Sequence, residues 1–257
     1  MKVDKLTRFT GRANFYAKHR PGYPDAVIEA LKRRANWFPE AMVADVGAGT
    51  GLSSELFLRH GNTVWGVEPN ADMRAESAGL QARFPQFQMR DGLAEDTGLP
   101  KAAFDFVVAA TAFHWFDARR SRAEFRRILK PGGRVVLLWN LHQSPPTPLL
   151  QAYEELSARY ADEGRHSWGR ERHNISTAAV RLFGDAKQYR KRHFDNNQRL
   201  DYEGFEGRFL SSSYVALPGD PRFQRMMAEL KELFDRFAVD GSVELKYQTA
   251  VFHGLLP

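Results

Sequence analysis

Three glycines alternate with small residues directly after a short apolar run: Gly47, Gly49 and Gly51. With no bulky side chain in the turn, a ligand can approach the backbone N–H groups closely. Residues 42–46 are too few and too apolar for a surface helix, and they predict a buried parallel strand. Residues 52–60 then have apolar side chains at helical spacing. Strand, glycine turn and helix N-terminus together predict a nucleotide-binding crevice at the carboxyl end of the strand.

The spacing of these glycines narrows the class of ligand that the turn can bind. A dinucleotide fingerprint needs G-x-G-x-x-G, whereas this turn has G-x-G-x-G, and the G-K-[ST] of a P-loop is missing. Glu68 ends the next apolar run and lies 19 residues after Gly49. An acidic side chain in that place accepts hydrogen bonds from ribose hydroxyls. The pattern therefore indicates a nucleoside ligand other than NAD.

Five segments, in this order, resemble class I S-adenosylmethionine-dependent methyltransferases: VADVGAGTG (43–51), VEPN (67–70), DGLAEDTGLP (91–100), FDFVVAATAFHWFD (104–117) and LKPGGRVVLLWN (129–140). Two further segments, AFHWFD (112–117) and FTGRANFYAKHRPGYP (9–24), are similar to the trans-aconitate methyltransferase group of small-molecule enzymes. The resemblance extends over roughly residues 8 to 140.

An alternation of strand and helix patterns from about 42 to 140 predicts an α/β fold with a parallel sheet. The resemblance implies a Rossmann-like, seven-stranded, mostly parallel sheet with the last strand antiparallel, helices on both faces, an N-terminal cap and a helical lid insertion. We expect one methyltransferase domain over 1–257, with its parts as follows: cap helices at 1–40, cofactor-binding core at 41–140, lid or substrate helices at 141–186 and 202–240, and closing strands at 187–201 and 241–257.

Individual elements are also predicted. Strands are expected near 42–47, 63–68, 86–90, 104–110, 133–139, 187–194 and 245–255. Helices are expected from Asp25 and near 52–60, 70–83, 117–129, 148–160, 176–183, 201–209 and 219–238.

The resemblance also implies which residues bind S-adenosyl-L-methionine: Tyr16, Arg20, Asp45, Gly47, Ala48, Gly49, Glu68, Pro69, Leu93, Ala94, Ala110 and Thr111. The glycine turn would hold the methionine end and the ribose. The segment with Leu93 and Ala94 would contact the adenine edge, and residues 109–111 would face the methionine moiety.

Four acidic or amide side chains have two interpretations each. Asp45 either reaches the cofactor's amino group or is a buried acid satisfied by N–H groups of the glycine turn. Glu68 either binds the ribose or is an exposed charge at a strand end. Asn70 either lies against the adenine or caps a helix. Asp91 either accepts from the adenine amino group or forms an Asp-Gly turn.

His114 follows the fourth strand, where the resemblance places the reactive methyl group. With an ordinary pKa near ~6.5 it is a candidate general base. It is equally a candidate for a hydrogen bond to the substrate or for a wall of the pocket, and all three interpretations stay open here. Trp115 and Phe116 are expected to line the substrate pocket.

An aromatic and basic cluster precedes the core, and in the resembling enzymes this stretch folds over the cofactor. Tyr16 and Arg20 are expected to close the site and to contact the cofactor carboxylate or an acidic substrate. A plain N-terminal helix packed on the sheet is the alternative. Arginines of the lid could bind a substrate carboxylate, although a solvated loop explains them as well: Arg159, Arg165, Arg170 and Arg172.

The composition excludes several classes of protein. The 257 residues contain no cysteine, which excludes disulfides and thiolate chemistry. His166 and His173 have no zinc spacing, so no metal site is expected. No membrane span and no signal peptide are recognised, and we expect a cytoplasmic enzyme. The net charge of +6 is concentrated in basic runs at 119–134 and 187–192, which are interpreted as solvated faces.

The sequence therefore predicts methyl transfer to an oxygen atom of a small-molecule acceptor, with a carboxylate as one candidate and S-adenosyl-L-homocysteine as the product. The basic charge keeps an RNA or protein methyltransferase as an alternative. A non-catalytic cofactor-binding protein is a second alternative, and an NAD-dependent oxidoreductase is disfavoured by the glycine spacing.

Overall fold

The computed structural model describes residues 10–161 and 168–256. Within them the strands β1 to β9 are Met42–Val46, Thr63–Val67, Phe87–Arg90, Phe104–Ala110, Leu129–His142, Tyr189–Asp195, Gln198–Leu200, Val243–Leu245 and Tyr247–Gly254. The helices α1 to α10 are Ala13–His19, Ala26–Ala35, Leu52–Arg59, Ala71–Glu76, Ala78–Arg83, Ala118–Ile128, Pro148–Tyr160, Trp168–Phe183, Tyr202–Leu210 and Phe223–Phe237. Short 3-10 helices lie at Phe113–Trp115 and Ala186–Gln188.

Seven strands form one sheet in the order β3-β2-β1-β4-β5-β9-β6. The contacts of β1 with β2 and β4, of β2 with β3, and of β4 with β5 are parallel, whereas β9 is antiparallel to both β5 and β6. The predicted Rossmann-like, mostly parallel sheet with an antiparallel last strand is confirmed. The strand order reverses between β1 and β4, and ligands of such sheets bind at the carboxyl ends of the strands on either side of that point.

Both faces of the sheet are covered by helices, and alternate residues of each strand point to opposite faces. In β4, Phe106 and Val108 belong to the core under α2 and α3. Val107 and Ala109 belong to the opposite core, which includes residues of α6 and α8. This two-sided burial explains why the strands read as continuous apolar runs, and it holds the carboxyl ends of β1 and β4 rigidly side by side.

A third core lies outside the sheet and joins the lid helices. It contains Tyr153 of α7, Phe205 of α9 and Leu230 of α10, together with residues of the two-stranded β7–β8 sheet. Helix α1 packs chiefly on α9. The helical insertion and the N-terminal segment therefore form one packed body beside the carboxyl ends of the strands.

Three predicted elements differ from the structure. The helix expected at 70–83 is two helices, because the Ser77 hydroxyl donates to the carbonyl oxygen of Arg74 (2.7 Å) and competes with the helical backbone bonds. Strand β5 begins at Leu129 rather than at 133 and contains the Pro-Gly-Gly segment. Helix α8 begins at Trp168, well before the expected 176, in a stretch whose polar residues hid the helical pattern.

Candidate functional site

The glycine turn between β1 and α3 requires glycine for two reasons. The φ angles of Gly47, Gly49 and Gly51 are +71°, +58° and +89°, in the left-handed region that L side chains avoid. A Cβ on Gly47 would also lie 2.7 Å from the Cβ of Ala112. The N–H groups of Gly47 and Ala48 donate to the carbonyl oxygen of Val67 (2.8 and 3.1 Å). The turn is therefore fixed between the ends of β2 and β4.

Glu68 is connected to this turn. Its Oε2 accepts the N–H of Gly49 (3.0 Å) and its Oε1 accepts the N–H of Asn70 (2.9 Å). Burial raises the pKa of the Glu68 carboxyl, and the two backbone donors oppose that shift. A carboxylate has about four acceptor positions, so each oxygen retains one for ribose hydroxyls. Binding of a ribose stays a prediction. Glu68 is half-buried and accepts two backbone N–H groups, so the alternative of an exposed strand-end charge does not describe it.

Asp45 is completely buried at the end of β1. Its Oδ2 accepts the hydroxyls of Ser53 (2.7 Å) and Ser54 (2.6 Å), at the start of α3. These serines, and not N–H groups of the glycine turn, are its partners, so that expectation was wrong. Oδ1 is buried and has no hydrogen-bond partner. Burial raises the pKa of the carboxyl to about 6.

Asn70 takes one of its two predicted roles, whereas the contact that Asp91 makes is neither of the two predicted for it. Asn70 caps α4, since its side-chain oxygen accepts the N–H of Met73 at 3.0 Å. Asp91 is exposed and lies 3.2 Å from a guanidinium nitrogen of Arg74. The same guanidinium donates to the carbonyl oxygen of Glu68 (2.7 Å), which ties the two strand ends together.

The predicted adenine edge lies next to Asp91. Ala94 is buried, and Pro69 is half-buried after the end of β2. Leu93 is 42% exposed. Its backbone is fixed by paired hydrogen bonds with Asp96 (3.1 and 3.2 Å). An apolar side chain held open in this way is suited to a flat aromatic ligand.

The carboxyl end of β4 carries local backbone strain. Thr111 has a φ of +51°, a region that β-branched residues rarely adopt, and Ala110 precedes it as the last residue of β4. The N–H of Thr111 donates to the carbonyl oxygen of Leu138 (2.7 Å), and its hydroxyl lies 3.2 Å from the hydroxyl of Tyr23. Strain of this kind, held by surrounding bonds, is typical of ligand sites. Tyr23, which belongs to the aromatic and basic cluster that precedes the core, joins the N-terminal segment to the strand end.

His114 lies in the 3-10 helix that follows β4 and is exposed. Its ring is 4.6 Å from the ring of Trp115. Phe116 is half-buried, packs edge-on against Phe113 and Phe125, and approaches Gly47. Trp115 and Phe116 stand where a pocket wall was predicted, whereas His114 faces outwards more than a packed wall residue would.

Tyr16 lies in the middle of α1 and Arg20 directly follows the helix, with its guanidinium 5.0 Å from the centre of the Tyr16 ring. Arg20 Nε donates to Ser211 Oγ (2.9 Å) and Nη2 donates to Ser211 O (3.2 Å), so α1 is fastened to the end of α9. Arg20 and Tyr16 are both close enough to Tyr23 to influence its pKa, which burial raises. The N-terminal segment is thus placed between the lid and the carboxyl end of β4.

A buried polar cluster under the lid was missed by the sequence analysis. His142 at the end of β5 contacts Tyr247 Oη through Nε2 (2.9 Å) and Glu154 Oε1 through Nδ1 (3.2 Å). The guanidinium of Arg208 lies 5.6 Å from the centre of the Tyr247 ring, and Tyr153 is buried beside it. Arg208 is only 1% exposed. In the sequence it is one arginine between two phenylalanines on an amphipathic helix, so nothing local marks it.

The basic side chains predicted for the lid and for the edge strand have ordinary surroundings where the structure describes them. Arg159 is exposed and pairs with Glu229 (2.5 Å). Strand β6 is a mostly exposed edge strand, as the basic run at 187–192 predicted. The other lid residues of interest, Arg165, His166, Arg170, Arg172 and His173, have side chains outside the described part of the chain.

Over 10–161 and 168–256 no three His, Asp or Glu side chains are grouped as metal ligands. In the same residues, no helix combines the length and apolar character needed to cross a bilayer.

Comparisons with known proteins point to one domain family. Residues 44–137 match the model of the family described as a methyltransferase domain. The "uncharacterized methyltransferase Rv3342" of Mycobacterium tuberculosis is 35% identical over 137 residues, which are 53% of this chain and 54% of that protein. This match spans about half the length of the relative. The "uncharacterized methyltransferase-like C25B8.10" of Schizosaccharomyces pombe is 24% identical over 98% of this chain and 96% of its own length.

Solved structures show the same fold. The SAM-dependent methyltransferase from Geobacter sulfurreducens, in complex with S-adenosyl-L-homocysteine, superimposes with a TM-score of 0.53 at 16% identity, covering 99% of this chain and 100% of that one. The YcgJ protein of Bacillus subtilis superimposes with a TM-score of 0.52 at 20% identity, covering 90% and 98%. Residues 44–137 are therefore similar to a methyltransferase domain, and the chain shares the fold of these solved structures.

Proposed function

We propose that the protein is an S-adenosylmethionine-dependent methyltransferase that methylates a small-molecule acceptor at oxygen, as in the trans-aconitate methyltransferase group that its 9–24 and 112–117 segments resemble. The observation that carries the proposal is the arrangement of two acids around one glycine turn. Glu68 is held by the N–H groups of Gly49 and Asn70, and Asp45 presents a buried oxygen without a partner.

These residues fit the cofactor. The buried Oδ1 of Asp45 needs a donor, and the ammonium of the methionine moiety, directly or through a water molecule, would supply one. The two oxygens of Glu68 can accept the two ribose hydroxyls. The left-handed conformation of Gly47 and Gly49 shapes the turn that would carry the ligand, and exposed Leu93 would lie against the adenine.

When bound, the cofactor would supply an electrophilic methyl group on a sulfonium. A bond from the acceptor oxygen to the methyl carbon would form as the carbon–sulfur bond breaks, and the electron pair of the broken bond would stay on sulfur. The protein aligns the acceptor and excludes water. Phe116 and Trp115 would form one wall, while Tyr23 and Arg20 close the opposite side through the lid.

A direct test is calorimetric titration of the purified protein with S-adenosyl-L-methionine and S-adenosyl-L-homocysteine, followed by incubation of the labelled methyl donor with acids, phenols, alcohols and amines. The proposal expects micromolar binding of both, about −8 kcal/mol, and label in at least one oxygen acceptor. NADH is the matched control and should not bind.

Two results would contradict the proposal. An absence of binding by both cofactor forms would remove the methyltransferase assignment. Label that enters only RNA or protein substrates would replace the small-molecule acceptor with a macromolecule.

A further inference from the structure

Two arginines under the lid share a single hydroxyl group. Ser211 Oγ accepts from Arg20 Nε (2.9 Å) and lies 3.4 Å from Arg208 Nη1, and it donates its own hydrogen to the carbonyl oxygen of Arg208 (2.6 Å). Over residues 10–161 and 168–256, neither guanidinium is paired with a carboxylate. Since arginine is not deprotonated in proteins, two positive charges meet at one neutral oxygen.

The surroundings of Arg208 do not neutralise it. Its closest electrostatic neighbours are the phenols of Tyr153, Tyr214 and Tyr247, which are neutral at pH 7. The carboxylate of Glu154 is linked to Arg208 only indirectly: Glu154 contacts His142, His142 contacts Tyr247, and the Tyr247 ring lies beside the guanidinium. Buried charges are ordinarily paired and fully hydrogen-bonded, because an isolated ion loses its hydration. A buried guanidinium without an anion is therefore an incomplete arrangement.

Unsatisfied polar atoms are concentrated in the same place. Arg208 Nε is buried and has no hydrogen-bond partner. The hydroxyls of Ser157 and Ser212 are buried too, and both interact with the phenol of Tyr214, which also lies near both arginines, so these groups belong to one cluster. A serine hydroxyl can donate one hydrogen bond and accept two, so one phenol does not satisfy both serines completely. Unsatisfied buried polar groups are rare in native proteins, and a group of them indicates a missing polar ligand.

The cluster adjoins the expected position of the reacting methyl group. Arg20 lies near Tyr23, whose hydroxyl contacts Thr111 at the end of β4. Tyr23 also lies near Asp45, at the proposed methionine end of the cofactor. Arg20 and Tyr214 are partly exposed, whereas Arg208 is not, so the cluster opens on the side of Arg20.

We propose that Arg208 and Arg20 bind an oxyanion, a carboxylate or a phosphate, at the end of the acceptor that is not methylated, with Ser157 and Ser212 donating to its oxygens. This inference rests on the proposed function and specifies the acceptor as an anionic small molecule. The planar guanidinium of Arg208 can donate two parallel hydrogen bonds to such a group, which gives orientation as well as affinity.

The test uses the full chain saturated with S-adenosyl-L-homocysteine. Benzoate, succinate and glycerol phosphate are titrated by calorimetry, each against its uncharged analogue benzamide, succinamide or glycerol. We expect at least one anion to bind the wild type, and which one binds distinguishes carboxylate from phosphate. Arg208→Gln and Arg20→Gln should each weaken that binding at least about tenfold. Arg208→Lys keeps the positive charge but not the forked pair of N–H donors, so its affinity for the anion should lie between those of the wild type and Arg208→Gln.

Arg159→Gln is the matched control, because Arg159 is a lid arginine paired with Glu229 on the surface. It should bind the anion as the wild type does. In turnover with the labelled methyl donor, Arg208→Gln should raise the KM for an anionic acceptor and leave the KM for the donor unchanged, a division that a merely structural role would not produce.

The inference is wrong if no anion binds better than its uncharged analogue while S-adenosyl-L-homocysteine binds normally. It is also wrong if Arg208→Lys and Arg20→Gln bind the anion as the wild type does, a comparison that remains valid should Arg208→Gln fail to fold. If S-adenosyl-L-homocysteine itself does not bind, the proposed function fails instead.

Discussion

The carboxylate of Glu68 accepts the backbone N–H of Gly49 at 3.0 Å, across 19 residues of sequence. This bond fixes the acid that ends β2 over the glycine turn that ends β1. It also connects the predicted ribose site to the geometry of the turn, so a change in either residue is expected to disturb the other.

Glu68→Gln should weaken binding of S-adenosyl-L-homocysteine by about 10- to 100-fold, since hydrogen bonds to a charged acceptor contribute about 1.5–3 kcal/mol. Calorimetry measures the effect. Glu55→Gln is the matched control, because Glu55 pairs with Arg83 on the surface of α3 and should leave binding unchanged. Equal affinities of the wild type and Glu68→Gln would show that Glu68 does not bind the cofactor.

Gly47→Ala should destabilise the protein by about 2–4 kcal/mol, the sum of an unfavourable positive φ and an overpacked contact. Its new Cβ would lie 2.7 Å from the Cβ of Ala112. Gly241→Ala is the matched control, since Gly241 has a φ of +69° and nothing within 4 Å of the added carbon. By urea unfolding, Gly241→Ala should lower the free energy of unfolding by about 1–2 kcal/mol, from the positive φ alone. Equal losses would show that close packing at residue 47 is unimportant.

The stability of the protein should depend on the ionisation of Asp45. Burial raises its folded-state pKa to about 6, from an ordinary value of 3.8. The neutral acid is the better-accommodated form, so this contribution is fully present below about pH 4 and is lost as the pH rises through about 6. The difference in unfolding free energy between wild type and Asp45→Asn should change by at most about 3 kcal/mol over this range.

Cofactor affinity should show the opposite trend, because only ionised Asp45 attracts the cofactor's ammonium. Binding of S-adenosyl-L-homocysteine by the wild type should strengthen between pH 5 and 7 relative to Asp45→Asn, measured by calorimetry at each pH. A constant ratio between the two proteins would contradict contact of Asp45 with the ammonium. The comparison with the variant cancels the titration of Glu68.

Glu124 should produce the reverse dependence of stability on pH. Burial alone would raise its pKa, but hydrogen bonds from Arg127 and Thr97 outweigh burial and lower the pKa to about 2. Its contribution is present above about pH 4.5 and is lost as the pH falls towards 2. Glu124→Gln should lower the free energy of unfolding by about 1–3 kcal/mol at pH 7 and by little at pH 2.5, as measured by urea unfolding at each pH.

The control for Glu124→Gln is Glu203→Gln. Glu203 forms an exposed ion pair with Lys18, so its substitution should not measurably change the free energy of unfolding. A pH-independent loss in Glu124→Gln would mean that packing rather than ionisation is responsible. Because Arg127 also donates to the carbonyl oxygen of Leu99 (2.7 Å), Glu124→Gln should in addition loosen the loop after the predicted adenine edge.

His114→Gln should lower kcat/KM by less than about tenfold and leave the pH profile unchanged, because the ring is exposed and lies against Trp115. Removal of a true general base typically costs about 10²- to 10⁴-fold and abolishes the matching pKa in the profile. Initial rates from pH 5 to 9 distinguish the two results. A large loss with a flattened profile would assign the base to His114.

Local patterns in the sequence predicted most of the fold. The apolar runs of β1 and β4, which are buried on both faces, were recognisable without any partner. The break at Ser77 was not, because a side-chain bond to a carbonyl oxygen ended a segment with good helical periodicity. The strand ends at Asp45, Glu68 and Thr111 were brought together as the alternation of strands and helices implied.

The sequence by itself determined the glycine turn, the acid that follows it and the parallel sheet that aligns them, because these depend on residue type and short spacing. Only the tertiary structure decided the partners of Asp45 and the meeting of Arg20 with Ser211, which are separated by 191 residues. The burial of Arg208 likewise depends on contacts between the lid, β9 and the N-terminal segment. No local pattern encodes such contacts, since their geometry exists only after the sheet and the lid have packed together.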